Sequence, residues 1–156
     1  MHTPQTILVP VTASAASMEA VLIASTLSKS RRGKVLLVHV IEVTRSLPLN
    51  AELESDARRG EQVLRKAETI ANQAGAEAVP TLVQAREAGA AIVEEAHDSG
   101  ADAIILGIPF GEEGRAFRIG RTADFVLNNA TCEVWVVRQS VAGDDTHHQE
   151  MKRQDP

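Results

Sequence analysis

The residues best suited to chemistry are gathered in one stretch, Gly107-Ile108-Pro109-Phe110-Gly111-Glu112-Glu113-Gly114-Arg115-Ala116-Phe117-Arg118-Ile119-Gly120-Arg121-Thr122. Gly120, Arg121 and Thr122 open a helical stretch, and a helix start offers free backbone N–H groups to an anion. Glycine lets a phosphate oxygen approach the main chain, and the Thr122 hydroxyl can donate to it. Arg115, Arg118 and Arg121 stand at three-residue spacing and can concentrate positive charge. The chemistry of such a stretch is an anion cradle. The same letters also read as a surface loop whose glycines only make turns and whose Glu112 and Glu113 neutralise the arginines.

Better-known sites are missing. No GxGxxG follows the first apolar run and no GxxxxGK[ST] occurs, which removes standard dinucleotide enzymes and P-loop hydrolases. A phosphorylatable receiver would need an acidic pair and an Asp where Pro10-Val11-Thr12 and Gln84-Ala85 stand. His39 lies inside an apolar run without a nucleophile partner, so it reads as a partly buried histidine bonded to nearby backbone. Cys132, just before the last apolar run, reads as a small core residue. His147 and His148 with Asp144 and Asp145 read as solvated tail residues, and no metal site is assigned.

The elements that must position these residues follow from an alternation of short β-branched runs with longer helical periods, the pattern of parallel strands joined by crossover helices. Thr6 to Val11 is almost wholly apolar, as a central strand covered on both faces would be. Ser14 or Ser17 can cap a helix with Met18, Val21, Leu22 and Ser25 on one stripe, broken at Gly33. Lys34 to Val43 is a second strand, followed by a loop from Arg45 to Asn50 that is expected to be mobile. Ala51 to Ala74 is a long helix with Leu53, Ala57, Val63, Leu64, Ala67, Ile70 and Ala71 inward, ended at Gly75. Its other face, with Glu52, Glu54, Asp56, Arg58, Arg59 and Glu61, reads as solvent-exposed. Glu77 to Ala85 carries Pro80 and is expected at a sheet edge. A short helix from Gly89 to Asp98 precedes a central strand, Ala101 to Leu106, that Gly107 is expected to end. Arg121 to Asn129 is a helix and Glu133 to Val137 the last strand.

The chain has 156 residues, which suits one domain with a tail and excludes an eight-unit barrel. Its 44% apolar and 24% charged residues are those of an ordinary globular protein. The net charge of −5 repels a polyphosphate backbone, and three Phe and one Trp with no Tyr make a poor stacking platform, so nucleic acid is not an expected partner. One cysteine forms no internal disulfide and fits the reducing cytoplasm. The start, MHTPQTILVPVT, has neither the basic region of a signal peptide nor a run long enough to cross a membrane, so no membrane insertion is expected. From Gln139 to Pro156 the composition is polar and aperiodic, which predicts a disordered tail after a domain of residues 1–138.

ILVPVTAS near the start, KVLLVHVIEV, SGADAIILG and GRTADFVLNNATCEVWVV occur in an order and spacing that resemble a universal stress protein domain over about residues 5 to 138. The resemblance implies an α/β fold, an open five-stranded parallel sheet ordered 3-2-1-4-5 with helices on both faces, of the Rossmann-like, adenine nucleotide alpha hydrolase-like kind. It also implies a homodimer formed through the last strand. The apolar run Val134, Trp135, Val136 and Val137 agrees, because an uncovered terminal strand of that composition would be an exposed edge.

Nucleotide-binding members of that family carry Gly, two residues, Gly, nine residues, Gly and Ser or Thr around ATP phosphates and ribose. Gly107 and Gly120 match the outer glycines, Phe110 occupies the middle position with Gly111 one step late, and Arg121 precedes the hydroxyl of Thr122. The acidic residue that contacts the nucleoside falls on Thr12, and the backbone contact to adenine falls on Val40. The resemblance therefore implies a cytoplasmic stress-response protein that binds ATP or another adenine nucleotide in a modified pocket. Gly107, Gly111, Arg118, Gly120, Arg121 and Thr122 surround phosphate, and Val11, Thr12 and Val40 line the nucleoside side. The loss of the carboxylate and the gain of Phe110 are expected to weaken binding, with Arg121 returning part of the loss. The alternative is a dimeric regulatory or scaffold module that binds no nucleotide and acts through a transporter or a second stress protein. A third reading, slow hydrolysis of a bound nucleotide, has only Glu112 and Glu113 as a general base.

Overall fold

Apolar parallel strands joined by crossover helices have few ways to pack, and this chain takes one of them. The computed structural model describes residues 3–111 and 115–140. The strands are β1 (Thr6–Pro10), β2 (Lys34–Glu42), β3 (Glu77–Ala85), β4 (Ala103–Ile108) and β5 (Glu133–Arg138). They form one sheet ordered β3-β2-β1-β4-β5, every pair parallel. The helices are α1 (Ala15–Ser30), α2 (Glu54–Gln73), α3 (Ala88–Ser99) and α4 (Arg121–Asn129). Pro80 sits on the edge strand β3, in register with Leu37 of β2, where its missing N–H costs no ladder bond on the open side.

The sheet is buried on both faces by alternate side chains. Ile7 and Val9 point into a cluster with Val21, Ala24, Leu64 and Ala67 from α1 and α2. Leu8 points the other way, to Ile92 and Ala96 of α3 and Ala123 and Val126 of α4. That two-sided burial is why β1 and β4 carry almost no polar residue. Ser14 caps α1 by accepting from the Ser17 backbone N–H. Apart from Met18 and Val21, the buried face of α1 is built from small residues. Ala16, Ala20, Ala24, Ser25 and Ser28 are buried, whereas Leu22, expected on the inward stripe, is 49% exposed. Small side chains let the helix lie close to the sheet, which narrows the buried stripe and leaves Leu22 at its rim. The buried hydroxyls of Ser25 and Ser28 donate to the carbonyls of Val21 and Ser25.

Most boundaries shift by one or two residues, and two of the differences have a clear physical cause. Helix α2 starts at Glu54, not Ala51, because the Gln84 side-chain amide takes the carbonyls of Leu49 and Ala51, at 2.9 Å and 3.1 Å, before a helix can use them. Strand β4 runs through Gly107 to Ile108, which are in register with Val137 and Arg138 of β5. The loop after β2 is tied down: Arg86 Nη1 donates to the carbonyls of Thr44 at 2.6 Å and Leu47 at 2.8 Å. Of the tail, Gln139 donates its N–H to the Ile108 carbonyl at 2.8 Å, and residues 141–156, with His147 and His148, lie outside the described residues.

Candidate functional site

In an open parallel sheet a crevice forms beyond the carboxyl ends of the strands where the winding reverses, here between β1 and β4. A cavity of about 370 Å³ lies there, floored by Pro10, Val11, Leu106 and Gly107 and walled by Val38, Val40 and Glu42 of β2. Three helices start at it, contributing Ser14 and Ser17, Ala88, and Thr122 with Ala123. The N-termini of α3 and α4, at Glu87 and Gly120, have no side-chain cap, so their first N–H groups remain available to a ligand.

The β1–α1 turn is set by hydrogen bonds. Ser17 is buried, and its hydroxyl accepts from the Thr12 N–H at 2.9 Å and donates to the Pro10 carbonyl at 3.3 Å. The Thr12 hydroxyl lies 3.0 Å from that of Ser14. On the other side of β1, His39 Nδ1 lies 2.8 Å from the Val11 carbonyl. His39 is thus the partly buried, backbone-bonded histidine expected from its place in β2. Gly107 has a steric reason to be glycine: a Cβ there would meet the α1 backbone at Ala16.

Of the residues expected around a ligand, Val11, Thr12, Val40, Gly107 and Thr122 line this one cavity. Gly111 and Arg118 do not; with Phe110, Arg115 and Ala116 they line a second cavity of about 570 Å³ that shares Pro109 with the first. Gly111 adopts φ +101°, which favours glycine at that turn. Gly120 is the N-cap of α4. Arg121 does not line the cavity either, but its Nη2 lies 3.3 Å from Oε2 of Glu42, which does. The three arginines expected together are therefore divided between two places. Phe110 turns outward: its ring stacks on Phe117 with centroids 6.4 Å apart, and the Arg138 guanidinium lies 4.8 Å from its centre. Glu112 and Glu113 lie outside the described residues.

Glu42 lines the crevice, and sequence reasoning passed over it. It is the last residue of β2, and a carboxylate at the carboxyl end of a mostly apolar parallel strand is a signal, because ligands sit beyond strand carboxyl ends. It brings a carboxylate to a wall where Thr12 brings none. Cys132 is remote from this crevice, in a small cavity with His97 and Ala101. Burial, the largest cause, pushes its thiol pKa up, and Asp102 and Glu133 act in the same direction. Among the described residues no cluster of His, Cys, Asp and Glu can hold a metal, and no helix is long and apolar enough to cross a membrane.

A family model described as the universal stress protein family matches residues 4–138. Comparison with curated proteins finds no match. Among solved structures, a universal stress protein from Archaeoglobus fulgidus is similar with a TM-score of 0.72 and 22% identity, over 88% of this chain and 99% of that one. The universal stress protein from Archaeoglobus fulgidus in complex with dAMP gives 0.66 and 21%, over 87% and 98%. A universal stress protein family protein from Arabidopsis thaliana with AMP bound gives 0.62 and 20%, over 90% and 95%.

Proposed function

Because the chain belongs to the universal stress protein family, we propose that it binds an adenine nucleotide, ATP, ADP or AMP, in the crevice beyond β1 and β4 and works as a cytoplasmic homodimer in stress signalling. The observation that carries this reading is the convergence of the uncapped N-termini of α3 and α4 on one cavity with an apolar floor. An apolar pocket takes the base, and oriented N–H groups take phosphate without desolvating a fixed positive charge. The dAMP and AMP complexes of similar proteins support the same assignment. In this reading Val11, Thr12 and Val40 face the nucleoside, Gly107, Gly120 and Thr122 face phosphate, and Arg121 closes over it. Gly111 and Arg118 act from the second cavity.

The dimer rests on β5. It is a terminal strand, Val136 is 39% exposed, and Val134, Trp135 and Val137 are only partly covered by the two core clusters. A second copy would cover both the apolar surface and the open ladder edge.

Denaturing the purified protein and identifying released nucleotide by mass spectrometry tests the assignment, followed by titration of AMP by calorimetry. Recovered adenine nucleotide supports it, and replacing Arg121 with Ala is then expected to weaken binding several-fold. Empty protein together with no heat from millimolar AMP moves the function to a dimeric scaffold module that docks on a transporter or another stress protein. Thr12 in place of a carboxylate, and Arg121 already engaged by Glu42, are the observations that favour this second reading.

A further inference from the structure

Glu42, on the crevice wall at the end of β2, is joined to Arg121 at the start of α4, their charged atoms 3.3 Å apart. Glu42 is the sole ionisable residue among the described ones lining the cavity. The pair is open to solvent, with 80% of the Arg121 side chain and 41% of the Glu42 side chain exposed. An exposed ion pair contributes little to stability, so it is easily broken. Its position gives it a different consequence. A phosphate at the α4 N-terminus draws on Arg121, takes that guanidinium from Glu42, and then lies near a carboxylate that has lost its partner.

Resting on the reading of the crevice as an adenine nucleotide site, we infer that Glu42 sets the ligand charge this site accepts, by competing with ligand phosphate for Arg121. Adenosine leaves the pair intact. AMP gains the guanidinium at the expense of Glu42, and ATP adds further charge beside the freed carboxylate. The usual gain in affinity with each phosphate is therefore flattened in this chain.

The test is calorimetric titration of the full chain with adenosine, AMP and ATP, without divalent cations, for the natural protein, E42Q, R121A and the double variant. The quantity compared is the ratio of the adenosine Kd to the AMP Kd. E42Q is expected to raise this ratio about three- to tenfold, the size of one partly screened charge interaction at close range. On the R121A background the same substitution is expected to raise it markedly less, because the competition then has no object. An AMP affinity that E42Q leaves unchanged relative to adenosine overturns the inference while the nucleotide assignment stands. Absence of binding by all three ligands to every variant, with circular dichroism showing each folded, overturns the assignment and the inference together.

Discussion

A Cβ placed on Gly107 would stand 2.0 Å from the carbonyl oxygen of Ala16 and 2.8 Å from the N–H nitrogen of Ser17, both atoms of the α1 backbone. The first turn of α1 thus rests directly on β4, and this contact fixes the floor of the crevice. Glycine at this position serves helix-on-strand packing whether or not a phosphate ever comes near it.

Gly107→Ala is therefore expected to destabilise the fold by about 1 to 3 kcal/mol, the cost of overpacking a close contact. Because the obstacle is backbone, the helix must shift instead of a side chain turning aside. A denaturant melt checks this, and a midpoint equal to that of the natural protein would refute it.

Ser17 holds the turn that carries Thr12 through bonds to the Thr12 N–H and the Pro10 carbonyl. Ser17→Ala leaves the Thr12 N–H and the Pro10 carbonyl, both part-buried, without that partner and is expected to cost about 1 kcal/mol. Amide hydrogen exchange at Thr12 should quicken, because its N–H loses the oxygen it donates to. Protection at Thr12 as strong as in the natural protein would contradict this account of the turn.

Phe110 stands where the resemblance to nucleotide-binding universal stress proteins implies a glycine, yet its ring packs on Phe117 and beneath Arg138 and does not line the crevice. Phe110→Gly is accordingly expected to bring no gain in AMP affinity and to loosen the loop, seen as faster cleavage by a nonspecific protease. Tighter AMP binding in this variant would show that the ring does obstruct the ligand.

Val136 is the exposed apolar residue of β5. Val136→Arg puts like charges opposite one another across a two-fold edge and is expected to convert a dimer to a monomer in light scattering after size exclusion. A natural protein that already runs as a monomer at micromolar concentration would remove the dimer from the proposal.

Cys132 holds its proton above its ordinary pKa because burial disfavours the thiolate. The folded chain therefore keeps this proton to higher pH than the unfolded chain. The corresponding stability is complete below the unfolded thiol's pKa and is lost as pH rises through the folded value. Alkylation by iodoacetamide is expected to show a midpoint at higher pH in the folded protein than in denaturant. Coincident midpoints would reject the shift.

How much of this was legible in the sequence depends on how local the cause is. The strand and helix types, the edge position of Pro80, a serine cap at Ser14 or Ser17 and the backbone-bonded His39 all follow from residues that report on their own surroundings. An apolar run covered on both faces, or a proline without a donor, carries its meaning in a few neighbouring letters. The boundaries at Glu54 and Ile108 were less legible, since each depends on a partner from another strand: Gln84 for the α2 start, Val137 and Arg138 for the β4 end.

The site divides along the same line. Sequence by itself determined that a glycine- and arginine-bearing loop follows a central strand and that Thr122 opens the next helix, because those are features of chain order. Only the tertiary structure decided that Glu42 and Arg121, 79 residues apart, meet at the crevice wall, while Arg118 and Gly111 face another cavity. It also decided that Phe110 turns outward to Arg138. The physical reason is that a side chain's direction at a loop or strand end is chosen by whatever charge or ring the crossovers bring within reach. No periodicity in the chain encodes that choice.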